Sequence, residues 1–362
     1  MFSVLDRDRM RRALALAERG LYTTTPNPRV GCVIVKDGKA VGEGWHEVAG
    51  GPHAEAFALS HAGEAARGAA AYVSLEPCNH HGRTPPCSDA LIEAGVARVV
   101  AAMRDPNPGA GGGGDKLAAA GIRFEHGLLE EEARELNIGF TSRVTRKRPW
   151  VRMKIAASLD GRTALANGQS QWITGPESRR DGHAWRARAC AVLTGIGTVR
   201  EDDPRLNVRD VPTARQPLRV VVDSRLETPV DARILEGGNV LLFCARADAA
   251  RRKALEAKGA EIAVLANSSG KVDLPEMLKE LARRGVNEVH AEGGVKLNGS
   301  LMREGCVDEL LVYLAPGLLG DSARGMVNLP EMKALDERVA LEIRGVERIG
   351  GDLRILARLK GR

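Results

Sequence analysis

The sequence is poor in aromatic residues and has no long apolar run. Phe, Trp and Tyr account for 3% of its 362 residues, so the hydrophobic cores must consist mostly of Val, Leu, Ile and Ala. No apolar stretch is long enough to cross a bilayer. The N-terminal residues MFSVLDRDRMRR lack the apolar segment of a signal peptide. We therefore expect neither a membrane partner nor secretion.

Cysteine is also scarce, and its distribution argues against a disulfide framework. The six cysteines are scattered along the chain, at positions 32, 78, 87, 190, 244 and 306. In a chain of this length without a secretion signal, such spacing is typical of a cytoplasmic protein with reduced thiols. Cys190, Cys244 and Cys306 lie in or beside apolar segments, which predicts that these thiols are buried.

The sequence lacks the basic, aromatic-rich surface that is typical of nucleic-acid binding. Residues 1–147 carry 18 Lys and Arg and 18 Asp and Glu, so the net charge of +6 resides in the rest of the chain. A moderate positive excess in one part of a protein suits phosphorylated small molecules, whereas nucleic-acid binding favours a basic cluster with aromatics nearby. We therefore expect phosphorylated small-molecule substrates and no nucleic-acid partner.

The length of the chain favours two domains. The densest basic run, residues 143–148, is interpreted as a linker, which places the boundary between residues 1–147 and 148–362. In each part, short apolar segments alternate with segments of helical spacing. This alternation predicts an α/β architecture in both domains.

The residue types of a catalytic zinc site occur between positions 53 and 87. His53, Cys78 and Cys87 supply one imidazole and two thiols, and three protein ligands with an open fourth position are typical of catalytic zinc. Zinc in such a site lowers the pKa of bound water towards neutrality. Glu55 follows His53 by two residues, where a carboxylate can move protons beside the metal. The pattern is typical of zinc nucleobase deaminases, although eight residues rather than two separate the cysteines here.

Other residues near this pattern are less informative. His46 and His61 have no metal-ligand context, and we interpret both as structural or surface residues. Glu76 either contacts substrate or caps the loop that carries Cys78. The glycine-rich segment 109–114 lacks the register of a dinucleotide-binding motif. We interpret it as a loop that closes over the metal site.

The second half contains two features that are compatible with a nucleotide. It lacks G-x-G-x-x-G after its first strand, but Glu292-Gly293-Gly294 precedes a predicted helix, where free backbone N–H groups suit phosphate. Ser224-Arg225 follows a predicted strand and is suited to an extra 2′-phosphate. A strand-Gly-Gly-helix junction is more often only a turn, and Ser224-Arg225 is nearly as compatible with a surface turn. A 2′-phosphate held by Ser224-Arg225 would favour NADPH over NADH.

Both halves carry motifs of one known family. TPNPRVG, GGPHAE and EPC followed by GRTPPC stand in the first half; KIAASLDGRTA, SQWITG, LTGIGTVREDDPRLNVR, VVVDSRL and HAEGGVKLNGSL stand in the second. In this order they resemble the bifunctional deaminase-reductases of riboflavin biosynthesis, over essentially the whole chain. The resemblance implies a cytidine-deaminase-like three-layer α/β/α domain followed by a dihydrofolate-reductase-like α/β domain. It also implies a homodimer or higher homo-oligomer.

The same resemblance implies two consecutive reactions with zinc and NADPH as cofactors. The first is the hydrolytic deamination of 2,5-diamino-6-(5-phosphoribosylamino)pyrimidin-4-one. The second is the reduction of 5-amino-6-(5-phosphoribosylamino)uracil, in which the ribosyl group becomes ribityl. The sequence thus predicts a zinc hydrolase and an NADPH-dependent oxidoreductase in one chain.

The family's functional positions can be carried over residue by residue. Glu55 is the expected general acid and base of the deaminase, and Lys154 is the candidate for polarising or positioning the reductase substrate. The positions expected to hold the pyrimidine and phosphate of the deaminase substrate are Asn27, His80 and Arg83. Those expected to contact NADPH are Ala156, Trp172, Thr198, Asp202, Ser224, Gly294, Val295, Lys296, Leu297, Asn298, Gly299 and Ser300. Those expected to contact the reductase substrate are Ser170, Arg186, Arg205, Leu206, Arg209 and Glu292.

Two alternatives remain open from the residues alone. A nucleic-acid base deaminase with an accessory domain would share the zinc site but would need a basic, aromatic surface for the strand. A binding protein with structural zinc would normally have four protein ligands, and three are evident in the sequence.

Overall fold

The structure, a computed structural model, describes residues 2–81 and 85–360. The chain forms two compact units, Met1–Lys147 and Arg148–Arg362, each with its own hydrophobic core. Among the described helices, none combines the length and the apolar character that a membrane span requires.

Unit 1 is built on one mixed sheet of five strands in the order β2-β1-β3-β4-β5. Strand β1 pairs antiparallel with β2 and β3, while β3, β4 and β5 run parallel. The strands are β1 Gly31–Lys36, β2 Lys39–Trp45, β3 Ala70–Val73, β4 Arg98–Ala101 and β5 Arg123–His126. The helices are α1 Val4–Glu18, α2 Ala54–Ala62, α3 Cys87–Glu93, α4 Gly113–Ala119, α5 Glu130–Leu136 and α6 Ile138–Arg146.

Helices α1 and α2 cover opposite faces of this sheet, which gives the three predicted layers. A Cβ at Gly31 would lie 2.0 Å from the Ala13 carbonyl of α1, whereas a Cβ at Gly44 would lie 2.4 Å from the Ala54 carbonyl of α2. Gly44 pairs with Cys32, the neighbour of Gly31, so the two glycines point to opposite faces. The absence of a side chain at Gly44 lets the first turn of α2 approach the sheet closely.

The carboxylate of Asp6 fastens α1 to the sheet. Its Oδ1 accepts hydrogen bonds from the Tyr72 hydroxyl and from Arg98 Nη1, both at 2.7 Å. Its Oδ2 accepts from the backbone N–H and the hydroxyl of Ser3, both at 2.8 Å, which caps the helix. Burial opposes ionisation of Asp6, but the hydrogen bonds from Arg98 and Tyr72 outweigh it and hold its pKa well below the usual range.

Replacing Asp6 by Asn should lower the free energy of unfolding of unit 1 by about 1.5–3 kcal/mol at neutral pH. Because the folded-state pKa of Asp6 is depressed, its stabilisation is present above the unfolded pKa and is lost as the pH falls through the folded value. The difference between wild type and Asp6→Asn should therefore shrink in acid. Hydrogen exchange of the α1 amides at several pH values measures it. Asp8→Asn, on the exposed side of the same helix, is the control; an equal loss there would contradict the assignment.

The basic run at residues 143–148 is not the predicted linker, because most of it belongs to helix α6. The side chain of Asn137 anchors the start of this helix: its Oδ1 accepts from the Arg29 N–H at 2.8 Å, and its Nδ2 donates to the Arg29 carbonyl at 2.9 Å. Phe140 is buried within the unit. The basic residues of α6 are therefore held on a helix of unit 1.

Unit 2 contains a nine-stranded sheet in the order β11-β10-β9-β8-β12-β6-β13-β16-β15, and a small sheet of β7 and β14. The seven strands from β11 to β13 run parallel, and β16 and β15 continue the sheet antiparallel. The strands are β6 Trp150–Ser158, β7 Arg162–Ala164, β8 Ala191–Gly195, β9 Leu218–Val222, β10 Val240–Cys244, β11 Ala260–Val264, β12 Glu288–Ala291, β13 Glu309–Ala315, β14 Arg324–Gly325, β15 Leu341–Ile349 and β16 Asp352–Leu359. The helices are α7 Pro176–Arg188, α8 Ile196–Asp202, α9 Ala249–Glu256, α10 Leu274–Arg283 and α11 Val295–Arg303.

A buried layer of charges lies between α7 and the centre of this sheet. Arg152 of β6 is 1% exposed, and it donates to Glu309 at 2.6 Å and to Glu288 at 3.2 Å. Its guanidinium carbon lies 4.3 Å from the ring centroid of Trp185 on α7. Buried charges require such pairing. Lys154, on the same face of β6, and Glu292, directly after β12, line the cleft described below.

Candidate active sites

The predicted metal ligands come together from the starts of two helices and from one loop of unit 1. His53 is the residue before α2, Cys78 follows β3 in a loop, and Cys87 is the first residue of α3. The backbone N–H of Cys87 lies 3.4 Å from Cys78 Sγ. Strand ends and helix starts in α/β folds collect ligands in this way.

The three side chains have the spacing of a zinc site. One ligand atom from each lies within 4.8 Å of the others. His53 Nδ1 is 3.2 Å from Cys87 Sγ and 3.5 Å from Cys78 Sγ. A tetrahedral ion with ordinary Zn–N and Zn–S bonds would separate nitrogen and sulfur by about 3.5 Å. The donor set, its spacing and its burial therefore fit zinc with three protein ligands.

The electrostatics of the cluster favour thiolate at Cys78. Its hydrogen bond with Cys87 and that with His53 lower the pKa of Cys78 to about 4, although burial opposes them. The same contact with Cys78, together with burial, raises the pKa of Cys87. Coordination by both sulfurs therefore requires the proton of Cys87 to leave.

Glu55 lies in the first turn of α2, directly beside this cluster. It is 3% exposed, and burial followed by the negative charge of Cys78 raises its pKa to about 6. A carboxyl group whose pKa is raised towards neutrality is suited to accept and return protons.

A cavity of about 560 Å³ opens over the cluster and contains two of the three predicted substrate residues. Asn27 and His80 line it, whereas Arg83 falls outside the described residues. His46, interpreted from the sequence as a structural or surface residue, is buried and also lines this wall. His46 Nδ1 lies 2.9 Å from the Pro52 carbonyl, so it carries the proton and Nε2 accepts from Asn27 Nδ2 at 3.1 Å. His46 therefore orients Asn27. Its position, nineteen residues after Asn27, gave no sequence signal for this contact.

Glu76 also lines the cavity. Its Oε1 accepts from the Gly114 N–H at 2.9 Å and its Oε2 from the Asp105 N–H at 3.1 Å. Its carboxylate therefore joins the start of α4 to the loop after β4. His61 lies away from the cavity wall, and its Nδ1 contacts the Glu43 carbonyl at 2.7 Å.

The glycine-rich segment is a loop only in part. Ala110 lines the cavity, and its carbonyl accepts from the Asn79 N–H at 2.9 Å. Gly113 and Gly114, however, begin helix α4. A Cβ at Gly113 would lie 1.8 Å from the Pro77 carbonyl, so glycine is needed there for the close approach of α4 to the loop that carries Cys78.

Unit 2 has a cleft of about 530 Å³ that gathers most of the predicted reductase residues. Those in its wall are Lys154, Ala156, Ser170, Trp172, Arg186, Thr198, Asp202, Arg205, Leu206, Arg209, Glu292, Gly294, Val295 and Asn298. Those outside the wall are Ser224, Lys296, Leu297, Gly299 and Ser300.

Helix periodicity explains why α11 contributes only some of its predicted residues. Gly294, Val295 and Asn298 share the face towards the cleft. Gly299 points elsewhere, because a Cβ there would lie 2.2 Å from the Asn328 carbonyl. The Ser224 hydroxyl lies outside the cleft and accepts from the Val272 N–H at 3.1 Å.

A half-buried ion cluster forms one wall of the cleft. Arg186 binds Glu292 through both carboxylate oxygens, and Lys154 Nζ lies 3.9 Å from Glu292 Oε2. Burial opposes ionisation of Glu292, but the charges of Arg186 and Lys154 hold its pKa well below the usual range. Burial lowers the pKa of Lys154. Charged groups are thus held in fixed positions beside the space for a ligand.

Sequence reasoning missed Arg179 in this cleft. Its guanidinium carbon lies 4.6 Å from the ring centroid of Trp172, and its Nη1 donates to the Thr174 carbonyl at 2.7 Å. Trp172 is 67% exposed, so Arg179 supports a ring that is otherwise open to the cleft. An arginine in the first turns of a predicted helix carries no distinguishing signal.

Comparison with known proteins assigns both units. The family described as "Cytidine and deoxycytidylate deaminase zinc-binding region" matches residues 4–103, and "RibD C-terminal domain" matches residues 149–355. The riboflavin biosynthesis protein RibD of Escherichia coli (strain K12) is 48% identical over 95% of this chain and 96% of its own length. This chain belongs to the RibD family. The RibD protein of Aquifex aeolicus is 42% identical over 98% of both chains.

Solved structures of RibD proteins have the same fold over nearly the whole chain. Acinetobacter baumannii RibD matches with a TM-score of 0.91 and 42% identity, covering 98% of this chain and 99% of that one. The Thermotoga maritima deaminase/reductase matches with a TM-score of 0.87 and 34% identity at the same coverage. The cytidine-deaminase-like and dihydrofolate-reductase-like folds predicted from the sequence are thereby confirmed, as is a RibD enzyme of both types with zinc and NADPH as cofactors. Both alternatives raised from the residues alone are disfavoured.

Proposed function

We propose that unit 1 deaminates 2,5-diamino-6-(5-phosphoribosylamino)pyrimidin-4-one and that unit 2 then reduces the ribosyl group of 5-amino-6-(5-phosphoribosylamino)uracil to ribityl. The observation that carries the first step is the cluster of His53, Cys78 and Cys87 with the buried Glu55 at the base of one cavity. The Thermotoga maritima relative supports the substrates, since it is named as a deaminase and a reductase acting on these compounds.

In the deaminase, the residues of the cavity divide into metal ligands, proton carrier and ring contacts. Zinc held by His53, Cys78 and Cys87 would lower the pKa of water in the cavity. Glu55 takes a proton from the water that attacks the amine-bearing carbon. It gives this proton to the ring nitrogen, then takes the second proton from the newly formed hydroxyl group and passes it to the amine, which leaves as ammonia. Asn27, oriented by His46, contacts the ring, and His80 lies in the same wall.

In the reductase, the wall of the cleft divides into a cofactor side and a substrate side. Gly294, Val295 and Asn298 at the start of α11 suit the dinucleotide. NADPH supplies the hydride, and the protein's part is to position the reacting carbon. Lys154 and Arg186, both set by Glu292, orient the ribosyl phosphate against the cofactor.

A coupled assay on the purified chain tests both steps and their order. The diaminopyrimidine ribosyl phosphate is supplied, ammonia release is followed, and NADPH is then added and its oxidation is followed. We expect ammonia first and NADPH oxidation only after deamination. NADPH oxidation without ammonia, or no ammonia from a zinc-loaded chain, would reject the proposed substrates.

We also propose that the protein is a cytoplasmic homodimer that uses the β15 edge of its sheet. None of the six cysteines forms a disulfide in the described structure, which suits a reducing compartment. On β15, Ile343 is 64% and Val346 54% exposed, and an unpaired edge strand with exposed apolar residues favours association.

Replacing Ile343 by Lys should shift the protein towards monomers, because a charge replaces apolar surface at the proposed contact. Sedimentation of the intact chain over a range of concentrations measures the dissociation constant, which we expect to rise about 10-fold or more. Glu342→Lys introduces the same group one position away, on the opposite face of the strand. A monomeric wild type, or equal shifts in both variants, would contradict this interface.

A further inference from the structure

The charge of the deaminase cavity is unusual for a site that accepts a phosphorylated substrate. Its wall contains the carboxyl groups of Glu55, Glu76 and Asp105. Of the lysines and arginines in the described part of the chain, one lines this cavity, namely Arg143. Residues 1–147 carry equal numbers of basic and acidic residues, so the unit as a whole has no net positive charge. Attraction of a phosphate must therefore be local.

Arg143 is held at the cavity by the helix that the sequence had suggested to be a linker. It lies on α6, three residues after Phe140, whose ring also lines the cavity. The guanidinium carbon is 5.7 Å from the centroid of that ring. Arg143 Nη2 donates to the Pro26 carbonyl at 3.0 Å, directly before Asn27 in the chain. The guanidinium is thus fixed beside the segment that carries a proposed ring contact.

A guanidinium group at this place is suited to bind an oxyanion. Arginine stays charged at every relevant pH, and its planar fork can bind phosphate through two parallel hydrogen bonds. The pyrimidine ring must reach Glu55 and the metal ligands, so the ribosyl phosphate is left for the remaining wall. Asp105 and Glu76 would repel a phosphate dianion, whereas Arg143 would attract it.

We propose that Arg143 binds the phosphate group of the deaminase substrate and so makes the cavity selective for the phosphorylated form. This inference rests on the proposed function of unit 1. The proposed contact from Arg143 would be additional to that of Arg83, for which the family resemblance implies a substrate role. The ion pair forms on binding and leaves the reacting ring unchanged, so Arg143 acts on affinity and specificity and not on the chemical step.

Two substrates and two variants test this assignment. Ammonia release is measured with the diaminopyrimidine ribosyl phosphate and with the same compound after removal of its phosphate, for wild type, Arg143→Gln and Arg143→Lys. We expect Arg143→Gln to raise KM for the phosphorylated compound about 10- to 100-fold while kcat changes little. KM for the dephosphorylated compound should change less than about threefold. Arg143→Lys keeps the charge without the fork, and should fall in between.

A matched control lies on the same helix. Arg146 donates from Nε and Nη2 to the Ser142 hydroxyl at 3.1 and 2.8 Å and does not line the cavity. Arg146→Gln should therefore leave both KM values unchanged. Inorganic phosphate provides an independent readout, since it should inhibit the wild type competitively and Arg143→Gln much less.

The outcomes separate this inference from the function on which it rests. If Arg143→Gln raises KM equally for both compounds, Arg143 only holds the Pro26 segment, and the assignment is wrong. An unchanged KM for the phosphorylated compound also overturns it, while wild-type ammonia release would still support the deaminase. If the wild type deaminates neither compound, the proposed function itself fails.

Discussion

Replacing Glu55 by Gln should lower the rate of ammonia release by about 10²- to 10⁴-fold, because the amide cannot carry the two protons of water, one to the ring nitrogen and one to the leaving amine. The change preserves the shape of the side chain, and Glu55 is not among the predicted metal ligands. Zinc content should therefore stay at the wild-type value. NADPH oxidation should also stay unchanged when the deaminated intermediate is supplied. Metal analysis and the two separate assays check all three points.

The matched control is another carboxylate of the same cavity. Glu76→Gln keeps an acceptor for one of the two backbone N–H groups that Glu76 now holds, so we expect a loss of less than about tenfold. Equal losses in the two variants would show that burial of a charge, and not proton transfer, is the role of Glu55. Loss of zinc in Glu55→Gln would also contradict the assignment.

Replacing Arg186 by Gln should reduce kcat/KM of the reductase by about 100-fold or more. The change leaves the half-buried Glu292 with Lys154 as its remaining cationic neighbour at 3.9 Å. Breaking a buried ion pair costs about 3–5 kcal/mol, and each 1.36 kcal/mol corresponds to about tenfold in rate where it acts on the transition state. The variant should lose the contact of Arg186 with the ribosyl phosphate, and Lys154 should no longer be held in its position.

The pH dependence of stability gives this prediction a second readout. Because the folded-state pKa of Glu292 is depressed, its ion pairs stabilise unit 2 above the unfolded pKa, and this stabilisation is lost as the pH falls through the folded value. The stability difference between wild type and Arg186→Gln should therefore be largest near neutral pH and should shrink in acid. Urea unfolding of the intact chain at several pH values measures it.

A control on the same helix separates stability from catalysis. Arg188 also pairs with a buried carboxylate, since its Nε donates to Glu288 at 2.9 Å, but it does not line the cleft. Arg188→Gln should cost stability without a comparable loss of reductase activity in the folded protein. Equal activity losses in the two variants would assign Arg186 a purely structural role.

Most of the strands could be predicted from the sequence, because they are buried runs of small and branched apolar residues. The segments Leu218–Val222 and Val240–Cys244 are such runs, and both are strands in the structure. Helix α6 could not be predicted, because its basic residues resemble a linker. Only the structure shows that Asn137 is hydrogen-bonded to Arg29 and that Phe140 is buried. A contact across more than a hundred residues of sequence leaves no local pattern.

The sites show the same division between local and distant information. His53 with Glu55, and the segment around Cys78 and Cys87, carry their chemistry in short spacings that a sequence displays. The link between His46 and Asn27 depends on how two loops fold against each other. Which residues of α11 face the cleft depends on how the helix is rotated about its axis. That rotation is visible only in the structure, where Gly299 faces the Asn328 carbonyl and not the cleft.

The described residues of each catalytic site come from one unit alone. A chain disabled at Glu55 and a second chain disabled at Arg186 therefore carry complementary defects, and a cell that makes both should grow without added riboflavin if the deaminated intermediate diffuses from one chain to the other. Natural selection can then act on the two halves of the gene independently. A mutation that inactivates one half is tolerated in any cell that also carries a functional copy of that half.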